Sequence, residues 1–159
     1  MSSVPIRLAA RVLLVDEQQR LLLLRSVDPA DGSVFWFPPG GGIEPGEDAS
    51  TAAVREVWEE TGLQNCPLEG EVWRRRHLFT WGSATYDQRE HWFLARVSHF
   101  EPAPGALTVA EQQEITEFRW WTLTDMDATT DLMTPRALPD LLRALLISGI
   151  PAEPLDVSV

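Results

Sequence analysis

The sequence predicts an α/β fold, and three observations carry that expectation. Short runs of β-branched, leucine and aromatic residues, each bounded by turn residues, recur over residues 6–37 and again beyond residue 70. Two other segments, 48–61 and 139–149, repeat apolar residues at helical spacing. A chain of 159 residues is the size of one domain. A domain of that size buries roughly 70% of the surface its unfolded form exposes, so residues 1–159 are read as a single domain that needs no disulfide or structural metal.

Taken in order, Ile6 to Asp16 and Leu21 to Ser26 flank a polar turn and read as a β-hairpin. Asp28 to Ser33 is a loop. Val34-Phe35-Trp36-Phe37 is a short aromatic strand that stops at Pro38-Pro39, and Gly40, Gly41 and Gly42 with Pro45-Gly46 read as a constrained loop. From Asp48 to Thr61 there is no Gly or Pro. Ala53, Val54, Val57 and Trp58 recur there at helical spacing, with Trp58 expected on the apolar side, and Gly62 followed by Leu63 suits a left-handed helix cap. Strand-like segments follow near Glu71 to Thr80, Gln88 to Ser98 and Glu117 to Leu123, with a loop over Glu101 to Gly105. A second helix starts with Pro139 in its first turn and runs to Gly149, and the tail from Pro151 is expected to fray.

Composition excludes several function classes. With 24 acidic residues against 13 basic ones the formal charge is -11, which repels a phosphate backbone and argues against nucleic-acid polymers and anionic membranes as partners. No run approaches the ~20 apolar residues of a membrane span, and Met1 to Arg7 lacks the layout of a signal peptide, so a cytoplasmic protein is expected. The single cysteine, Cys66, excludes an internal disulfide and a Cys/His zinc cluster, and His77, His91 and His99 are not at zinc-ligand spacing.

The first helix is unusual in its charge. At about 100° per residue, Glu56, Glu59 and Glu60 fall within one arc of ~100°. Like charges at this spacing disfavour a helix by roughly 0.2–0.5 kcal/mol per pair, and they sit near the C-terminal end, where the macrodipole already opposes negative charge. Arg55 can pair with Glu59, but one cation does not neutralise three anions. A hard divalent cation such as Mg²⁺ resolves the conflict, because it accepts carboxylate oxygens and leaves room for substrate phosphates. Gly40, Gly41 and Gly42 carry no side chains, so backbone can approach the same ion.

From Gly41 to Leu63 the sequence reads GGIEPGEDASTAAVREVWEETGL. This resembles the signature of the Nudix hydrolase superfamily. Gly41, Glu47, Arg55, Glu56, Glu59, Glu60 and Gly62 fill its seven specified positions, and Val57 and Leu63 its two apolar ones. The resemblance covers 23 of 159 residues, and Trp36 to Gly40 also resembles the family's approach to this box.

The resemblance implies an α/β/α sandwich with a mixed β-sheet and a loop-helix-loop box. It implies hydrolysis of a nucleoside diphosphate linked to a further group, with Mg²⁺ or Mn²⁺ as cofactor. Glu56, Glu59 and Glu60 are then the metal-binding carboxylates, with Glu56 or Glu59 also acting on the attacking water, and the carbonyl of Gly41 or Gly40 a backbone ligand. Glu47 and Arg55 pair structurally and keep the arginine from quenching the acids. A further acid from outside the box is expected in the loop-like stretch holding Glu111 and Glu114, with Glu114 favoured and Glu90 a lesser candidate. A homodimer is compatible with the family.

For substrate contact, Arg25, Trp36 and Arg76 are the residues suggested, with Trp73 and Trp81 as further stacking candidates and Arg74, Arg75, His77 and His91 as lesser polar ones. The proline that ADP-ribose pyrophosphatases often carry beyond the box is absent, with His77 and Leu78 in its place, and the only tyrosine is Tyr86. Substrate identity therefore stays open between a diphosphate derivative and a nucleoside triphosphate. A nucleotide-sensing domain without turnover is the alternative from another class. An isoprenoid diphosphate isomerase shares the fold but needs cysteine chemistry that Cys66 does not obviously supply.

Overall fold

The structure, a computed structural model, describes residues 4–158, apart from the side chains of Trp81, Ala110 and Gln113. Its strands in chain order are β1 (Ile6–Val15), β2 (Leu21–Val27), β3 (Val34–Phe37), β4 (Gly40–Gly42), β5 (Gly70–Trp81), β6 (Ala84–Arg96), β7 (Ile115–Trp121), β8 (Leu132–Met133) and β9 (Leu155–Asp156). The helices are α1 (Ala49–Thr61), α2 (Val109–Glu114), α3 (Leu123–Ala128) and α4 (Leu138–Ser148). The strands form one mixed sheet in the order β8-β3-β2-β1-β6-β5-β9, with β4 paired to β1 and β7 to β2.

Alternation along the central strands builds the layers, because successive side chains point to opposite faces. Ala10, Val12 and Leu14 of β1, Leu22 of β2, and Phe93 and Ala95 of β6 pack with Ala52, Ala53 and Val57 of α1. The intervening residues Leu13, Val15, Leu21, Leu23, Trp92 and Leu94 pack with Met126 of α3 and Leu138, Leu142 and Leu145 of α4. The result is the α/β/α arrangement expected, with α1 on one face and α3 and α4 on the other.

Helix α1 begins and ends as read from sequence. Asp48 caps it, accepting from the Thr51 N–H at 2.8 Å, and Gly62 ends it at φ 82°. The loop 103–106 then closes the helix end, where Ala103 N–H donates to Thr61 O at 2.9 Å and Ala106 N–H to Glu59 O at 3.0 Å.

Several elements differ from expectation. β1 and β2 share the predicted turn but pair only at Val15↔Leu21; β1 instead runs parallel to β6 from Ile6↔Asp87 to Val15↔Arg96. A hairpin pattern reports turn chemistry, not which strand a long ladder chooses. Gly40–Gly42 is a strand rather than a loop, paired antiparallel with residues 9–11. The stretch holding Glu111 and Glu114 is α2, opened by a capping box between Thr108 and Glu111. Trp58 is 37% exposed, on the flank of α1 covered by Gly105, not on its core face. The tail expected to fray pairs with β5 through Trp73↔Leu155 and Arg74↔Asp156. No helix among the described residues is long and apolar enough to cross a membrane.

Gly62 generates a stability prediction. A Cβ there would lie 2.1 Å from the carbonyl oxygen of Ala103, and its φ is left-handed. Gly62→Ala is expected to cost at least ~1 kcal/mol, read as a lower urea midpoint with unchanged m-value; an unshifted midpoint contradicts the packing described here.

Candidate active site

The helix α1 turns two of its three stripe carboxylates inward. Glu56 and Glu60 are buried, whereas Glu59 is half-buried. Around them Arg55 organises the box. Its guanidinium holds Glu47 through two parallel bonds, Nε to Oε2 at 2.8 Å and Nη2 to Oε1 at 2.9 Å, and also donates from Nη2 to Gly42 O at 3.0 Å. The predicted pairing of Glu47 with Arg55 is therefore present. Arg55 is not kept away from the acids, however, because its Nη1 also reaches Glu56 Oε1 at 3.0 Å and Glu59 Oε2 at 3.1 Å. With Glu44, Glu47, Glu56 and Glu59 all within 4 Å, the guanidinium is a counter-charge shared among four carboxylates.

The three glycines of β4 make the acids accessible. A Cβ on Gly41 would lie 2.6 Å from the carboxylate carbon of Glu56, and one on Gly40 would lie 2.1 Å from Ala10 O. On the same strand, Gly42 lies beside the guanidinium of Arg7, and Gly40 beside the side chain of Arg11. A cavity of about 560 Å³ opens here. Gly40, Gly41, Gly42, Glu56, Glu60, Arg7 and Arg11 line it, together with Gln88 and Glu90 of β6 and Glu111 and Glu114 of α2. Its lining sets two arginines against six carboxylates, Asp28 included.

Burial sets the protonation of these groups. Glu60 is 2% exposed and accepts one hydrogen bond, from Gly40 N–H at 2.7 Å, so burial pushes its carboxyl well above the usual range. Burial also raises Glu56, against the Arg55 hydrogen bond. Glu90 goes the other way. Burial opposes its charge too, but Arg11 and Arg75 flank it while Gln88 Nε2 donates at 2.6 Å and Trp92 Nε1 at 3.1 Å, and together they hold it below its usual value.

The structure brings together Gly41, Glu56, Glu60 and Glu114 at one cavity, with Glu59 adjacent through Arg55. Glu111 also lines it, and its charge is among those felt by Glu56 and Glu60. Among the described residues no three His, Cys, Asp or Glu side chains converge as a ready cation cage. Glu59 is drawn to Arg55 instead. The donor set nevertheless fits a hard divalent cation: buried carboxylates of Glu56 and Glu60, all oxygen, against a glycine backbone whose cradle a single Cβ would fill. These residues, with Glu59 released from Arg55, are those able to hold it.

The residues suggested for substrate contact are elsewhere. Trp36 is buried in the α4-side core, edge-on to Trp121 at 5.1 Å, and its Nε1 donates to Asp131 at 3.0 Å. Arg25 is tied to Thr116 Oγ1 at 2.8 Å, and Arg76 makes two 3.0 Å bonds to Asp87; neither lines the cavity. Trp73 packs on Trp92 in the core, and the Trp81 side chain is outside the described set. His91 is bonded to Glu71 away from the cavity, while His77 does line it. Cys66 is buried in the α1-side core, which pushes its thiol up to about 12 and removes it as a nucleophile.

Sequence reasoning missed Arg7 and Arg11. The signal was present, since both are odd-numbered on β1 and so share one face. It also missed Phe35, Phe37, Phe79 and Tyr86 on the cavity wall, having followed tryptophan instead.

The profile of the NUDIX domain matches residues 5–141. Among similar proteins is an RNA pyrophosphohydrolase of Novosphingobium aromaticivorans, 32% identical over 89% of this chain and 85% of that protein. An RNA pyrophosphohydrolase of Sphingopyxis alaskensis is 31% identical over 82% and 85% respectively. Of solved structures, the MutT protein from Methanosarcina mazei Go1 superposes at a TM-score of 0.66 with 21% identity over 92% of this chain and 97% of that one. An Ap4A hydrolase of C. elegans superposes at 0.58 with 22% identity over 87% and 96%. At those identities the structures speak for the fold.

The carboxylates make opposite pH predictions. The Arg55 hydrogen bond holds Glu47 down at about 2 from 4.5, so its stabilisation is full above pH 4.5 and lost as pH falls toward 2. Glu60 has a raised value, so its native state is favoured when protonated and loses stability as pH climbs from 4.5 through the folded value. In cation-stripped protein, Glu47→Gln is expected to lower the thermal midpoint at pH 7, with the deficit fading below pH 4.5. Glu60→Gln is expected to raise the midpoint at pH 7, with the gain fading in acid. Parallel shifts of the same sign contradict this assignment.

Proposed function

Because this chain belongs to the NUDIX domain family and is a Nudix hydrolase, we propose that it is a divalent-metal-dependent pyrophosphohydrolase that cleaves the diphosphate linkage of a nucleotide-type substrate. The observation that carries this reading is the meeting of Glu56 and Glu60 with Arg7 and Arg11 across the glycine strand β4. Carboxylates suited to a cation and guanidiniums suited to phosphate oxygens share one cavity.

Glu56, Glu59 and Glu60, with the backbone at Gly41, would hold the cation. When bound, Mg²⁺ or Mn²⁺ neutralises the pyrophosphate and lowers the pKa of water toward neutrality. Arg7 and Arg11 orient the diphosphate from β1, and Glu90, itself held by Arg75 and Gln88, fixes Arg11. Glu114 is assigned as the base that takes the proton from the attacking water. It lines the cavity from α2, and its neighbour Glu111 spends one carboxylate oxygen on the Thr108 N–H at 3.0 Å. Glu47 positions Arg55 and touches no reacting atom.

A second reading takes the 5′ end of an RNA as the substrate, favoured by the similar proteins named RNA pyrophosphohydrolase. The charge of -11 opposes binding along a polymer but not the entry of its terminal phosphates.

A panel of nucleoside diphosphate derivatives, nucleoside triphosphates and 5′-triphosphorylated RNA, assayed with product identification in Mg²⁺ and Mn²⁺, separates these substrates. Chelator is expected to abolish turnover, and Glu56→Gln to cut kcat/KM by about 100-fold or more. Glu114→Gln is expected to lower kcat with KM little changed. Full turnover in chelator, or an undiminished Glu56→Gln enzyme, overturns the proposal.

A further inference from the structure

We propose that the aromatic ribbon His77, Phe79 and Tyr86 on the β5–β6 hairpin is the seat of a nucleobase whose diphosphate runs toward Arg7 and Arg11. This rests on the pyrophosphohydrolase reading and adds the part of the ligand that the reading leaves without a site.

Four of the tryptophans are core. Trp36, Trp73, Trp92 and Trp121 are all buried in one cluster. The ribbon residues are different. They belong to neither core cluster, they are only half-buried, and all three line the cavity. His77 and Phe79 stack at 5.0 Å with 12° between planes, and Phe79 meets its cross-strand partner Tyr86 at 5.5 Å and 35°. Burial, and then Arg75, lower the His77 pKa, so its ring is a neutral face at pH 7. A short stack of rings lining a cavity can be extended by a flat heteroaromatic ligand, because every base has a π-face.

Register places the strip at the right distance from the phosphate end. Tyr86 and Glu90, the partner of Arg11, are four residues apart on β6, ~13 Å at the rise of a strand. Gln88 lies between them, opposite His77 on one side and bonded to Arg7 on the other. A nucleotide bridges such a gap with its base at one end and its diphosphate at the other. The hairpin is also fixed, since Asp28 accepts from Gly82 N–H at 3.1 Å and from Ala30 N–H at 2.8 Å. Asp28 is thus a positioning residue for the strip.

The test is calorimetric binding of ADP, GDP and inorganic pyrophosphate in Mg²⁺, to wild type, Phe79→Leu and Phe79→Trp. Wild type is expected to bind both nucleotides more tightly than pyrophosphate. Phe79→Leu, which keeps an apolar side chain but loses the ring, is expected to weaken ADP and GDP about tenfold and leave pyrophosphate within twofold, and Phe79→Trp to restore nucleotide binding. A 5′-triphosphorylated RNA trinucleotide measured alongside separates the sources: the ligand whose affinity falls in Phe79→Leu is the one whose base uses the strip. If wild type binds pyrophosphate as tightly as the nucleotides, or Phe79→Leu weakens all ligands equally, the base seat is wrong and the diphosphate reading stands. If wild type binds none of them, both fail.

Discussion

The approach of the Glu56 carboxylate to the backbone of Gly41 governs the layout of the site. A side chain at position 41 would fall 2.6 Å from that carboxylate, so helix α1 could not sit as close to β4 with any other residue there. Because it does, acids carried by a helix on one face of the sheet reach the same cavity as arginines projecting from β1. The neighbouring glycine is constrained by something else, the carbonyl of Ala10 on the paired strand. The glycine run thus serves two close approaches at once, one to the sheet and one to the helix, and both are needed for the cavity to have two chemically different walls.

Such an arrangement is costly without a counter-ion. Glu60 is buried with a single hydrogen bond, and burial drives both it and Glu56 toward the neutral acid. Arg55 relieves part of this by spreading over Glu47, Glu56 and Glu59. That distribution means a cation entering between the acids competes with the guanidinium for Glu56 and Glu59. Glu47 makes two parallel bonds to Arg55, so on the proposed reading it keeps the arginine in place if a cation takes Glu56 and Glu59. Its role is to hold the arginine, and the role of the arginine is to hold the loop against the helix through Gly42.

The local parts of this design were legible in the sequence. Helix α1 and its Asp48 and Gly62 ends depend on neighbours within a few turns, and their spacing is a direct record of those contacts, whereas the Glu47–Arg55 pair was legible only through the family resemblance. The partner of β1 was not legible, because nothing between residues 6 and 15 names β6 as its neighbour; the ladder depends on packing over the whole sheet. Helix α2 was readable in principle, since Thr108 and Glu111 have capping-box spacing, but a six-residue helix has too little apolar periodicity to announce itself. Substrate residues were misplaced for a physical reason. Tryptophan is the strongest stacking side chain and also a large apolar body, and in Trp36 and Trp73 the second property prevailed. Arg7 and Arg11 look like surface charge until Gly42 and Gly40 are laid beside them.

The charge balance of the cavity couples its two ligands. Two arginines face six carboxylates, of which burial drives Glu56 and Glu60 toward the neutral acid, so on the proposed reading a diphosphate entering alone finds only two cations on the wall, and a cation entering alone meets acids partly satisfied by Arg55. Each ligand supplies the charge the other lacks. Affinity gained by the diphosphate from the cation must equal affinity gained by the cation from the diphosphate, because the coupling free energy belongs to the pair. On the proposed reading, such a site favours the pair over either ligand alone. On the proposed reading, the acidic surplus that argues against polymer binding at the level of the whole chain makes anion and metal cooperative ligands at the cavity.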